Sequence, residues 1–177
     1  DGPQVELAVF RLPATGTAQE RIGTLFFNPG GPGQPGGGSA TKGMLLPPKV
    51  RRVFDFVTWD PRGLGQSRPA LADCSVAMPQ RPATGPVDWQ RVLTQRQREL
   101  AERNRDCIAR HRDLISQMGT VEAAHDLDAL RQALGDDRIS FWGISYGTVI
   151  GSTYAALFPE RVRALVLDGN VDPWIDL

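Results

Sequence analysis

The chain has 177 residues, enough for one domain with a core of its own. Its formal net charge is zero and its apolar content ordinary, so nothing points to nucleic acid or a membrane surface. No apolar run reaches the length of a transmembrane span. The chain opens on Asp1-Gly2-Pro3 without a Met or an apolar leader, so a trimmed form is expected, its targeting segment, if any, removed. Cys74 and Cys107 allow one intramolecular pairing. Their number alone divides evenly between two free thiols and a disulfide in an exported protein.

In chain order, Val5–Phe10 reads as a strand closed by the turn residues Pro13-Ala14-Thr15-Gly16. Gly23–Phe27 is a more buried strand that runs into Asn28-Pro29-Gly30-Gly31-Pro32-Gly33. So much glycine directly after a buried strand suits a loop whose backbone must approach a ligand. Ser39 is placed to cap a short helix through Leu46, which Pro47-Pro48 would end. Val53–Trp59 is the next strand, entering the turn Asp60-Pro61-Arg62-Gly63-Leu64-Gly65; Ser67 to about Pro86 is proline-rich and irregular. Asp88 to about Leu114 reads as a polar helix with a thin stripe at Leu93, Leu100, Cys107 and Leu114, expected to be a packing seam. Thr120 is expected to cap an amphipathic helix with Ala123, Leu127, Leu130 and Leu134 on one face and Gly135 at its end. Arg138–Trp142 and Val162–Leu167 complete the strands. Strands alternating with helices predict an α/β domain with a mostly parallel sheet. Ligand sites in such sheets gather beyond the carboxyl ends of the strands, where the glycine-rich loop, the Asp60 turn, Ser145 and Asp168 all fall.

Gly143-Ile144-Ser145-Tyr146-Gly147 carries the chemistry. A G-x-S-x-G between strand and helix is the nucleophile elbow, whose glycines leave room for a strained turn presenting the serine hydroxyl. Ser145 is the expected nucleophile. The backbone N–H groups of Tyr146 and Gly31 are the expected oxyanion hole, because the second donor in this geometry comes from the loop after an earlier strand. No base is evident: Glu160, Asp168, Asp172 and Asp176 follow Ser145, but His111 and His125 both precede it. His125 is expected to be packed or at the surface, and His111 solvated on a polar helix. Asp168 has two readings, a triad acid or a cap for the next turn through the Gly169 and Asn170 amides. Arg62 is expected in a buried ion pair with Asp60 or another carboxylate. No metal and no cofactor is expected.

Four segments together carry a family resemblance: Asn28 to Gly33, Trp59 to Ser67, Gly143 to Thr148, and Leu167 to Pro173. The chain resembles the α/β-hydrolase fold and, within it, the prolyl and tripeptidyl aminopeptidases, above all the secreted tripeptidyl branch. Prolyl aminopeptidases usually carry histidine where Pro29 stands; the secreted branch looks like the sequence here. The resemblance implies a secreted serine aminopeptidase that cleaves near free N-termini, and it favours a Cys74–Cys107 disulfide. It also implies that residues 1–177 are the N-terminal part of a catalytic domain, stopping where a helical lid begins. The triad aspartate and histidine would then come from outside, on a second chain that is the C-terminal half of the same precursor. A partial form of the enzyme, or a non-catalytic binding fragment, would equally lack a histidine after Ser145. An esterase or amide hydrolase acting on small molecules is the alternative activity, since one elbow serves all of these.

Overall fold

The computed structural model describes residues 4–71, 74 and 87–172. The chain divides into two units, residues 1–70 with 118–177, and residues 71–117. The first unit is built on five strands: β1 (Val9–Leu12), β2 (Gly23–Asn28), β3 (Phe54–Trp59), β4 (Ile139–Ile144) and β5 (Val162–Asp168). Their order in the sheet is β1-β3-β2-β4-β5. β1 runs antiparallel to β3 and every other pair is parallel. Central β2 and β3 are buried almost throughout, as their continuous apolar runs require of strands covered on both faces. The outer strands β1 and β5 alternate in burial instead.

Register brings Phe26 beside both Val57 and Phe141, and Phe141 beside Leu165. Helices α3 (Thr120–Ala133) and α4 (Tyr146–Leu157) close over this row with Leu127, Leu130, Ile150 and Tyr154. Each such buried side chain contributes roughly 1.5–3 kcal/mol. The two helices are also tied through Asp128, which accepts from Arg131 (2.8 Å), Gln132 (2.6 Å), Tyr154 (3.0 Å) and Arg161 (2.7 Å). Burial alone would raise the Asp128 carboxyl, but hydrogen bonds from Arg131, Gln132 and Tyr154 outweigh it and hold it at about 2.

Several local expectations are corrected by contacts distant in sequence. The first strand lies at Val9–Leu12 and not Val5–Phe10. Residues 6–8 bond instead to the loop after β3: Glu6 pairs with Arg68, and Ala8 N–H donates to Ser67 Oγ at 3.0 Å. The expected helix from Ser39 is a 3-10 helix, Gly37–Leu45, and Pro47-Pro48 does not only end it. Pro48 is the first residue of a further helix, α1 (Pro48–Val53), where a missing N–H costs nothing. Val53 accordingly belongs to α1, and β3 starts at Phe54. Thr120 does not cap α3; Gly119 holds that position, and the Thr120 hydroxyl pairs with the Tyr146 hydroxyl at 2.7 Å.

In the second unit, Asp88 caps α2 (Trp89–Ile115) by accepting the Arg91 N–H at 3.1 Å. The helix is interrupted at His111, whose φ and ψ are −124° and 25°. Of the expected stripe, Cys107 is buried, Leu100 and Leu114 are half-buried, and Leu93 lies 57% exposed. Cys107 is joined to Cys74 by a disulfide. Closing a loop of 33 residues contributes about 3–4 kcal/mol on the chain-entropy account. Most of the irregular stretch expected from Ser67 to Pro86 lies outside the described residues.

Candidate active site

β2, β3, β4 and β5 all point their carboxyl ends the same way, and a single residue separates β4 from α4. Ser145 occupies it with φ 53° and ψ −124°, the only non-glycine at positive φ among the described residues. That conformation costs on the order of 1–3 kcal/mol. The surroundings enforce it: Ser145 N–H donates to the Asp168 carbonyl at 2.9 Å, and Thr148 N–H donates to the Ser145 carbonyl at 2.8 Å. The Thr148 hydroxyl donates to the same carbonyl at 2.7 Å and accepts the Val171 N–H at 3.1 Å. The flanking glycines are required by close approach: a Cβ on Gly143 would strike the Gly147 carbonyl, and one on Gly147 would stand 2.7 Å from the Asn28 carbonyl. The β4–α4 corner therefore folds only with glycine on both sides of the serine. Ser145 is exposed, at the N-terminus of α4, and its hydroxyl makes no hydrogen bond within the described residues.

The glycine-rich loop after β2 lies directly against this corner. A Cβ on Gly30 would meet the Ile144 carbonyl and stand 3.1 Å from both Ser145 Cβ and Tyr146 N. Gly30 N–H is taken, donating to Asn28 Oδ1 at 2.9 Å. The N–H groups of Gly31 and Tyr146 donate to no acceptor among the described residues. Asp60, buried at the end of β3, joins two loops by accepting Gly37 N–H and Gln66 N–H, each at 2.8 Å. Arg62 pairs bidentately with Asp126, at 2.9 and 2.6 Å, so the expected ion pair exists and Asp60 is not its partner. Asp126 and the Thr120–Tyr146 pair carry no sequence signal of their own; each is a contact across tens of residues.

Within the sheet-bearing unit, no side chain of the other sequence candidates hydrogen-bonds Ser145 among the described residues. His125 is exposed and sits edge-on to Phe158, with ring centroids 5.4 Å apart. His111 belongs to the second unit. His125 does not hydrogen-bond Ser145. The Asp168 side chain is exposed and accepts nothing from Gly169 or Asn170; its contribution is the backbone carbonyl that holds Ser145. Glu160 pairs with Arg161 at 3.2 Å, Asp172 lies in the turn after β5, and Asp176 lies outside the described residues. Among the described residues no group of three or more His, Cys, Asp or Glu is placed to hold a metal, and no helix is long and apolar enough to cross a membrane.

A parallel sheet with a strained serine between strand and helix, and a glycine-rich loop against it, has the backbone form of a nucleophile elbow. Residues 23–177 match the alpha/beta hydrolase fold family, and the chain belongs to it. It is 45% identical to the serine protease Hip1 of Mycobacterium tuberculosis, over 99% of this chain and 34% of that protein. It is 38% identical to a tripeptidyl aminopeptidase of Streptomyces lividans, over 97% of this chain and 33% of that protein. The chain thus spans about a third of the length of these relatives. Among solved structures, the juvenile hormone epoxide hydrolase of the silkworm Bombyx mori shares the fold, with a TM-score of 0.55 at 17% identity. That likeness covers 92% of this chain and 32% of the other.

Proposed function

We propose that residues 1–177 form the N-terminal part of the catalytic domain of a secreted serine aminopeptidase, with a helical lid following β5. Ser145 Oγ is the nucleophile, and the N–H groups of Tyr146 and Gly31 hold the oxyanion. A base takes the serine proton as Oγ attacks the peptide carbonyl, then passes it to the leaving amine; water next hydrolyses the acyl-serine. The observation that carries this reading is the Ser145 backbone, held at positive φ by Asp168 and Thr148 so that its hydroxyl stands open at a helix N-terminus. The N–H groups of Gly31 and Tyr146, without acceptors among the described residues, support the second part. Likeness to a serine protease and to a tripeptidyl aminopeptidase supports peptide as the substrate class. The Cys74–Cys107 disulfide supports an oxidising, extracellular setting.

The triad aspartate and histidine are supplied from outside these residues, by a second polypeptide that is the other half of the same precursor. β5 supports this: among the described residues it pairs with β4 alone, and Val166 on it is 57% exposed, so the sheet can continue there. The experiment assays release of short peptides from free N-termini by residues 1–177, alone and with the companion half. Activity only with the companion, abolished by Ser145→Ala, is the expected result. Full activity from residues 1–177 alone would overturn the split triad, and turnover of simple esters without peptide release would replace the peptidase with the esterase alternative.

A further inference from the structure

We propose that Thr148 is a positioning residue for the Tyr146 N–H, because its buried hydroxyl grips the other end of the same peptide unit. The proposal rests on the catalytic reading of Ser145 and Tyr146 given above. The Ser145 carbonyl and the Tyr146 N–H belong to one planar group, and in a trans peptide they point in opposite directions. Whatever fixes the carbonyl therefore aims the N–H. Thr148 supplies two donors to that carbonyl, its N–H at 2.8 Å and its hydroxyl at 2.7 Å.

The backbone bond is available to any residue but proline at this position, whereas the hydroxyl bond needs Thr or Ser. Its direction is fixed. Val171 N–H can only donate, and it donates to Thr148 Oγ1 at 3.1 Å, which leaves the hydroxyl proton for the Ser145 carbonyl. Thr148 is fully buried, so water does not compete for that proton. Bonds linked in series in such surroundings polarise one another. The series runs from Val171 N–H through the Thr148 hydroxyl to the Ser145 carbonyl, and ends on an amide whose own N–H becomes the stronger donor. The peptide unit before Ser145 is held from the same direction, since Ser145 N–H donates to the Asp168 carbonyl at 2.9 Å. One short segment leaving β5 thus grips both peptide units of the strained residue, the first directly and the second through Thr148. Satisfying the start of α4 explains the Thr148 N–H bond. It does not explain why the hydroxyl takes a second partner 23 positions away.

The test uses the complete enzyme, residues 1–177 with the companion half, carrying Thr148→Val, Thr148→Ser or Thr148→Ala. Thr148→Val removes the hydroxyl and keeps the branched shape. Comparing Thr148→Ser with Thr148→Ala removes the hydroxyl alone, and decides the matter if Thr148→Val does not fold. Rates are expressed per site titrated by a fluorophosphonate, so that a loss of folded protein does not register as a loss of turnover. A peptide trifluoromethyl ketone reports on the hole, because its adduct with Ser145 places a negative oxygen there. Thr148→Val and Thr148→Ala should lower kcat per site by about tenfold, short of the 10²–10³ expected when a donor is lost outright. KM should not change, the ketone should bind more weakly by the same factor as kcat falls, and Thr148→Ser should keep the parent values. An unchanged kcat per site without the hydroxyl, or ketone binding that does not follow kcat, would overturn the positioning role alone. A parent whose Ser145 does not react with the fluorophosphonate would overturn the catalytic reading, and this role with it.

Discussion

The two ends of the same sheet treat their polar groups in opposite ways. At the amino ends of β2, β3 and β4 the two buried carboxylates, Asp55 and Asp136, are matched. Asp55, 2% exposed, accepts from Ala14 N–H (2.7 Å), Arg11 (2.7 Å) and Arg21 (2.8 Å). Asp136 accepts Thr24 N–H at 3.1 Å and Arg21 at 3.4 Å. At the carboxyl ends lie a strained serine whose hydroxyl makes no hydrogen bond, and two N–H groups without acceptors, among the described residues. Satisfied polar groups stabilise; unsatisfied ones, held rigidly, are available for a reacting molecule. One end of the sheet pairs its buried carboxylates, and the other leaves the Ser145 hydroxyl open.

That contrast breaks down if substitution at either end has the same consequence. The largest expected effect on stability is Asp55→Ala. It leaves two guanidinium groups without their shared carboxylate and should cost about 3–5 kcal/mol in denaturant unfolding. The rate at which a fluorophosphonate labels Ser145 in the folded fraction of the complete enzyme should not change. Gly30→Ala should do the converse. Its Cβ would meet the Ile144 carbonyl and displace the loop that carries Gly31, the proposed second oxyanion donor. Loss of one oxyanion donor lowers turnover by about 10²–10³, so kcat should fall in that range while the unfolding midpoint moves less than for Asp55→Ala.

A smaller effect separates charge pairing from mere packing. Asp128 titrates at about 2 in the fold against an ordinary value of 3.8. A depressed carboxyl contributes stability that is present above its unfolded value and lost as pH falls through the folded one. Its share is about 2 kcal/mol at neutral pH. Unfolding free energy should therefore drop between pH 4 and pH 2, and that drop should be shallower by about this amount in Asp128→Asn.

The elements and the elbow were legible in the sequence because their signals are local. Runs such as Thr24–Phe27 and Phe54–Trp59 declare buried strands, and glycine spacing declares a corner where no Cβ fits. What misled is settled by distant partners. Pro47-Pro48 reads as a stop whether or not a helix starts immediately after it. Thr120 has the residue type of a cap, yet its hydroxyl goes to Tyr146, 26 positions away. Asp168 suggests an acid at a strand end, but its carbonyl does the holding. Arg62 announces an ion pair, while its partner, 64 positions off, is fixed only once α3 packs on the sheet.

The central claim is that Ser145 is a nucleophile held ready by its backbone. The most direct measurement is the intact mass and peptide map of the complete enzyme after treatment with a fluorophosphonate, beside Ser145→Ala. The account predicts one adduct, on Ser145 alone, absent from the Ala variant, with unfolding midpoints equal in both. An adduct on another residue, or equal labelling of the Ser145→Ala protein, would contradict it.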